Sequence, residues 1–270
     1  MTEDNRIAHR PHGFEAVDEQ ADPSGYVRCL GVLARDPFYR KYKARVSELL
    51  DLKTGEAYLD VGGGNGNEAA ERARTAAVDT VLVDRSATMC AEARQRGVRD
   101  VVLADAAALP FSDHAFHACS ADRVLQHVHD PIAVLREMVR VTCSGGRIVL
   151  ADPDYDTQVV VCADQELARR VLRFRADHLL RNGTLAHQLP GLLATIGVTD
   201  ITVEGHVLIV REPTALDNVM GLRTWAEEGY MRGVLSAEDA TRWPEQLDET
   251  AQTGCFFYSV TFFLTSARVP

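Results

Sequence analysis

The chemistry this sequence can perform gathers around a run of glycines and three aspartates. In Tyr58-Leu59-Asp60-Val61-Gly62-Gly63-Gly64-Asn65-Gly66 an apolar run passes straight into a glycine turn. Glycine at 62, 64 and 66 permits φ > 0 and removes the Cβ atoms that would hold a ligand off the backbone. The helix predicted from about Asn67 to Ala77 then turns its unpaired N–H groups and positive dipole end toward whatever sits on the loop. In an α/β sheet that is the usual seat of a nucleotide-like cofactor. Two further acids close the next two strands. Asp84 follows Val81-Leu82-Val83 and can accept from both hydroxyls of a ribose; Asp105 follows Val101-Val102-Leu103-Ala104 and can accept from an adenine amino group. Either acid alone reads equally well as a turn residue or helix cap. Their joint spacing behind one glycine loop favours the cofactor. At a strand end, Asp84 reads as structurally independent of that loop.

A dinucleotide loop requires Gly-x-Gly-x-x-Gly, and Asn67 stands where the third glycine, the one that lets helix and strand pack closely, belongs. An NAD-linked oxidoreductase is therefore disfavoured. His127, in Arg123-Val-Leu-Gln-His127, follows the fourth strand at the carboxyl edge of the sheet. It is the candidate catalytic residue, a base near neutral pH, set against the reading of a half-buried structural histidine. His127-x-His129 lacks a third ligand at sensible spacing, so no metal is predicted. His178, His187 and His206 are further candidate bases. Arg169, Arg170, Arg173, Arg175 and Arg181 crowd one helix and read as a solvated face. Trp225, Trp243, Phe174, Tyr230 and Phe14 can line an aromatic pocket or simply pack. Tyr26, Tyr39 and Tyr42 are the aromatic residues that can close over a cofactor from the N-terminal side.

The elements that must position these residues alternate as a parallel sheet with crossover helices requires. Strands are predicted at 57–61, 79–83, 100–104, 117–121 and 147–151. Ser86 caps one helix that stops at Gly97, Asp130-Pro131 opens another that runs to about Val141, and Asp36-Pro37 repeats that signature ahead of the sheet. After Pro153 the pattern turns helical: helices at 164–181, 187–196, 213–229 and 236–252, the last kinked or split by Pro244, with strands at 201–210 and 255–264. This gives an N-terminal helical cap over 1–55, a cofactor-binding core over 56–152, a helical lid insertion over 153–186, and the rest of the core over 187–270 with a second lid insertion at about 211–254.

The order and spacing of five motifs resemble the class I S-adenosylmethionine-dependent methyltransferases, especially the small-molecule enzymes akin to those of quinone biosynthesis. They are Leu59-Asp-Val-Gly-Gly-Gly-Asn-Gly66, Val83-Asp84-Arg-Ser86, Asp105-Ala-Ala-Ala-Leu-Pro-Phe111, Ala121-Asp-Arg-Val-Leu-Gln-His-Val128, and Leu135-Arg-Glu-Met-Val-Arg-Val141 leading to Gly145-Gly146. Departures are Gly63 where cysteine is common, His117 for the usual aspartate, and Cys143-Ser144 before the double glycine. The resemblance implies an α/β, Rossmann-like, seven-stranded mixed sheet with helices on both faces, ending in an antiparallel hairpin. It implies S-adenosylmethionine as cofactor. Asp60 and the loop of Gly62, Gly63, Gly64 and Gly66 then face the methionine part, Asp84 the ribose, and Asp105 with Ala106 the adenine; Arg85, Met89 and Arg123 are counted with them as cofactor contacts. The implied reaction is in-line methyl transfer to an N, O, C or S atom of a small metabolite. Alternatives are a cyclisation or methylation-coupled cyclisation on the same fold, and a non-catalytic adenosylmethionine-binding protein.

Bulk properties agree with that frame. A chain of 270 residues with 46% hydrophobic residues fills one core with an appended lid. A net charge of −10 and a pI near 5.4 set the average field against nucleic acid and anionic membrane surfaces. The polar start lacks the apolar core of a signal peptide, and no apolar run reaches the roughly 18 residues of a membrane span. The expectation is a cytoplasmic enzyme of secondary metabolism with six reduced thiols, one that admits a homodimer.

Overall fold

In the computed structural model, which describes residues 13–213 and 220–270, one seven-stranded sheet carries the site. Strands β1 (Ala57–Val61), β2 (Asp79–Asp84), β3 (Asp100–Leu103), β4 (Phe116–Asp122), β5 (Thr142–Val160), β6 (Thr199–Val210) and β7 (Tyr258–Arg268) lie in the order β3-β2-β1-β4-β5-β7-β6. The first five are parallel, and β7 runs antiparallel between β5 and β6. Strand order reverses at β1, between β2 and β4, which opens a crevice at their carboxyl ends. Tyr58 to Val61 are all buried, as a central strand covered on both faces must be.

The helices begin where their caps dictate. Asp36 accepts the amides of Phe38 and Tyr39 to start α2 (Pro37–Leu50), preceded by α1 (Pro23–Leu33), which Asp22 caps. Gly66 precedes α3 (Asn67–Thr75), Ser86 accepts the Met89 amide to start α4 (Ala87–Gln95), and Asp130 accepts the Ala133 amide to start α5 (Pro131–Val141). One apolar core joins α1 and α2 to the later helices across β5 and β7; the other lies on the opposite face, under α5 and α7 (Leu189–Thr195).

Several boundaries differ from expectation. Strand β5 does not stop at 151 but runs 19 residues to Val160, so the insertion expected from 153 begins after it. Pro153 is tolerated because β4 ends opposite Ala151; the alternation along the strand turns the proline nitrogen to the side β4 has left. β7 is displaced to Tyr258–Arg268, and β6 begins at Thr199. The helix expected over 164–181 is α6 (Gln165–Phe174) followed by a π-helical turn, Arg175–Leu179. Part of the helix expected over 213–229 falls on 214–219, outside the described residues; after it comes α8 (Trp225–Met231). Pro244 does not split α9 (Ala237–Gln252), whose two halves are pinned by fully buried Trp243 and Leu247.

The described parts of the two helical insertions pack on one another. Leu167, Val171 and Phe174 of α6 share a core with Trp225, Trp243 and Leu247, and Arg170–Asp239 and Arg242–Asp164 ion pairs tie α6 to α9. All six cysteines are free thiols, four of them buried.

Candidate functional site

A cavity of about 260 Å³ opens at the carboxyl ends of β1, β2 and β4. Its floor is the glycine loop. Gly62 has φ +64°, and a Cβ there would stand 2.5 Å from Val124 Cγ2; Gly64, at φ +55°, turns its amide to Asp84 Oδ2 at 2.9 Å. Gly63 also lines the cavity, whereas Gly66, expected beside it, does not. A Cβ on Gly66 would meet Ala93 of α4 at 2.7 Å (Cβ) and 2.9 Å (Cα). Gly66 is therefore a packing glycine, set against α4.

The acids converge as expected, with environments that the sequence did not disclose. Asp60 is 4% exposed and burial pushes its carboxyl up to about 6, although the buried Arg72 guanidinium pulls the other way. Its Oδ2, like Asn65 Nδ2, is buried without a hydrogen-bond partner among the described residues, and both side chains line the cavity. Asp84 is raised by burial, against which the amides of Ser86 (2.9 Å to Oδ1) and Gly64 favour the anion. The carboxylate thus braces the loop, and the expectation that the loop is independent of it is corrected. Asp105 accepts the Ala107 amide at 2.9 Å and stands with Ala106 and Met89 along an apolar wall; Arg85 lines the same side. Arg123 borders the cavity in a left-handed conformation, φ +57°, but its guanidinium turns away, 5.2 Å over the Tyr39 ring and beside Asp122. Left-handed backbone in a non-glycine residue is a local cost that clusters at functional sites.

The charge inside decides between cofactors. Among the residues lining the cavity, Glu15, Asp60, Glu68, Asp84, Asp105, Asp122 and Asp130 outnumber Lys43, Arg85 and Arg123 by a formal four negative charges. Lys43 is itself held by Glu68 at 2.8 Å and Asp122 at 3.6 Å, and Asp122 accepts the Tyr42 hydroxyl at 2.9 Å. Such a cavity repels a pyrophosphate and attracts a cation. A sulfonium with an α-ammonium fits it, and the unpartnered carboxylate oxygen of Asp60 and amide nitrogen of Asn65 match an ammonium and a carboxylate.

His127 and His129 both line the cavity; His178 stacks on Phe174, His187 pairs with Asp154, and His206 faces Glu204, all elsewhere. Asp154, Asp156 and His187 come within 4.8 Å of one another, but Asp154 is taken up by His187 and by backbone amides, so the expectation of no metal is left as it stood. Arg175 is corrected: it is buried, 4.0 Å from the Tyr155 ring and 4.2 Å from Trp225, not on a solvated face. Trp225 and Trp243 are fully buried, and Tyr39 and Tyr42 lie in the core. The aromatic residue over the cavity is Phe14, edge-on to Tyr26 at 4.9 Å and 5.9 Å from the His127 ring. It belongs to a strap of two short 3₁₀ turns, Gly13–Glu15 and Val17–Glu19, that sequence periodicity could not reveal. Sequence reasoning also missed Lys43 and Glu68; each sits on an amphipathic helix where a charge reads as solvated.

Residues 59–150 match a protein family described as a methyltransferase domain. Over 258 residues the chain is 34% identical to an uncharacterized 37.1 kDa protein in transposon TN4556 of Streptomyces fradiae, covering 93% of this chain and 73% of that one. A demethylmenaquinone methyltransferase of Corynebacterium efficiens is 39% identical over 147 residues, 54% of this chain and 60% of its own length. Among solved structures, the [4+2]-cyclase SpnF superposes with a TM-score of 0.55 at 23% identity, over 86% of this chain and 81% of that one. That likeness is one of fold alone.

Proposed function

The chain belongs to the class I S-adenosylmethionine-dependent methyltransferases, and from that premise we propose that it methylates a small organic metabolite within the acid-lined cavity. The observation that carries this reading is the set of cavity groups with a charge and spacing suited to a sulfonium amino acid joined to a nucleoside. Asp60 and Asn65 hold the amino-acid end, Asp84 accepts from the ribose hydroxyls while bracing Gly64, and Asp105 with Ala106 and Met89 receives the adenine. When bound, the cofactor supplies an electrophilic methyl group. The chain supplies alignment and dryness, which provide most of the rate for an in-line displacement. His127, under Phe14, accepts the acceptor's proton where one must leave.

Calorimetry tests the cofactor: adenosylhomocysteine binds at micromolar levels and NADH does not bind. Tight NADH binding overturns the reading. Incubation with methyl-labelled adenosylmethionine and a metabolite extract identifies the acceptor. Because the same architecture occurs in a cyclase, the product's mass separates methyl transfer from a cyclisation, which leaves the mass unchanged.

A further inference from the structure

We propose that the strap over residues 13–20 is the gate of the cofactor cavity and that Asp18 is its latch. This inference rests on the cofactor reading above. The strap contributes Phe14, Glu15 and Val17 to the cavity lining, and Val17 with Tyr26 seals the wall residue Met89 to 2% exposure. Its internal hydrogen bonding adds little to the apolar packing of Phe14 and Val17 on Tyr26 and Met89. Two separate three-residue 3₁₀ turns make little internal hydrogen bonding, and isolated turns of that length are unstable in water. Beside that packing, two carboxylates on either side of the cavity, Asp18 and Glu15, fasten it.

At one end the Asp18 carboxylate takes the Ser86 hydroxyl at 2.9 Å, the Ala87 amide at 2.7 Å and the Thr88 amide at 3.1 Å. These are the first groups of α4, so the carboxylate sits where the helix has unpaired donors and a positive end. Ser86 also gives its amide to Asp84, which in turn holds Gly64. Strap, ribose acid and glycine loop are thus one hydrogen-bonded series. At the other end Glu15 pairs with Arg181 at 2.8 Å. The next residue, Asn182, donates to the Leu125 and Val128 carbonyls, on the loop that carries His127. The strap therefore spans the cavity from the ribose side to the His127 loop, fastened at both rims.

A latch of this kind has a kinetic signature. Entry and exit both require the strap to open, so weakening Asp18 raises both rates, whereas removing a group that only grips the bound ligand raises the exit rate alone. The test is surface plasmon resonance of adenosylhomocysteine on the full chain and on Asp18→Ala, Asp18→Asn and Glu15→Gln. In Asp18→Ala association and dissociation should each rise about tenfold or more, so that Kd changes less than either rate, with Asp18→Asn intermediate and Glu15→Gln a smaller change in the same sense. Should Asp18→Ala fail to fold, the other two variants carry the same comparison. Hydrogen exchange at amides 13–20 should slow on ligand binding in the parent. A raised dissociation rate with unchanged association, or both rates unchanged, overturns the gate while leaving the cofactor reading intact. A parent that binds no adenosylhomocysteine overturns the cofactor reading and the gate with it.

Discussion

Asp84 Oδ2 accepts the Gly64 amide hydrogen at 2.9 Å, so the acid assigned to the ribose is also the strut of the glycine loop. Its other oxygen takes the Ser86 amide. Truncating it removes two internal hydrogen bonds along with the proposed ribose contact.

Asp84→Ala should therefore weaken adenosylhomocysteine binding by about 10- to 150-fold, the worth of one charge-assisted contact of roughly 1.5–3 kcal/mol. It should also lower the melting temperature of the unliganded protein by several degrees, since each kcal/mol is worth about 2–4 °C in a chain of this size. Asp79→Ala, at the exposed start of the same strand, should change neither. Calorimetry and thermal unfolding on the three proteins decide it; an unchanged affinity in Asp84→Ala ends the ribose assignment.

Gly64 and Gly66 should separate binding from folding. A Cβ at Gly66 meets the Ala93 backbone, and its φ of +75° is a further strain, so Gly66→Ala should cost about 2 kcal/mol or more of stability. At Gly64 the nearest heavy atom to a new Cβ is the flexible end of Leu30 at 3.2 Å. Gly64→Ala should then cost mainly the left-handed backbone penalty of about 1 kcal/mol and lose most in ligand affinity. Denaturant unfolding and titration of both variants compare the two losses; a larger affinity loss at 66 than at 64 reverses the assignment.

Asp60 makes binding and stability depend on pH in opposite directions. Its folded carboxyl lies near 6 and its ordinary value is 3.8, so between those values the folded protein holds a proton the unfolded chain has released. Stability from this group is full below about 4 and is lost as pH rises through about 6, by up to about 3 kcal/mol. An ammonium placed against Asp60 favours the anion. Affinity for adenosylhomocysteine should rise with pH up to about 6, by at most about tenfold per unit. Calorimetry at pH 5.5 in buffers of different ionisation enthalpy should detect a released proton, and Asp60→Asn should abolish it.

His127→Ala should leave adenosylhomocysteine affinity within a few fold and lower turnover by about 10²–10⁴ if the acceptor must lose a proton. Unaltered turnover would make His127 a wall residue only.

Much of this was legible because its signals are local. Ser86, Asp130 and Asp36 mark helix starts through their own side chains, and the central parallel strands read as apolar runs. What escaped depends on distant partners. Pro153 reads as a strand end because its tolerance depends on where β4 stops. Gly66 departs from the spaced-glycine pattern by one position, and only the nearness of Ala93 shows its role. Phe14 lies in a strap with no periodicity, while the more regular helices at 164–181 and 236–252 share one apolar core whose membership only the fold shows.

The excess of acids in the cavity bears on the end of the reaction as well as its start. Each transfer turns a sulfonium into a neutral thioether, so the spent cofactor carries one positive charge fewer than the fresh one. In a cavity lined by Asp60, Glu68 and Asp122, the spent form should be held less firmly by Coulomb attraction. Acids that attract the reactant should thereby favour exchange of spent cofactor for fresh.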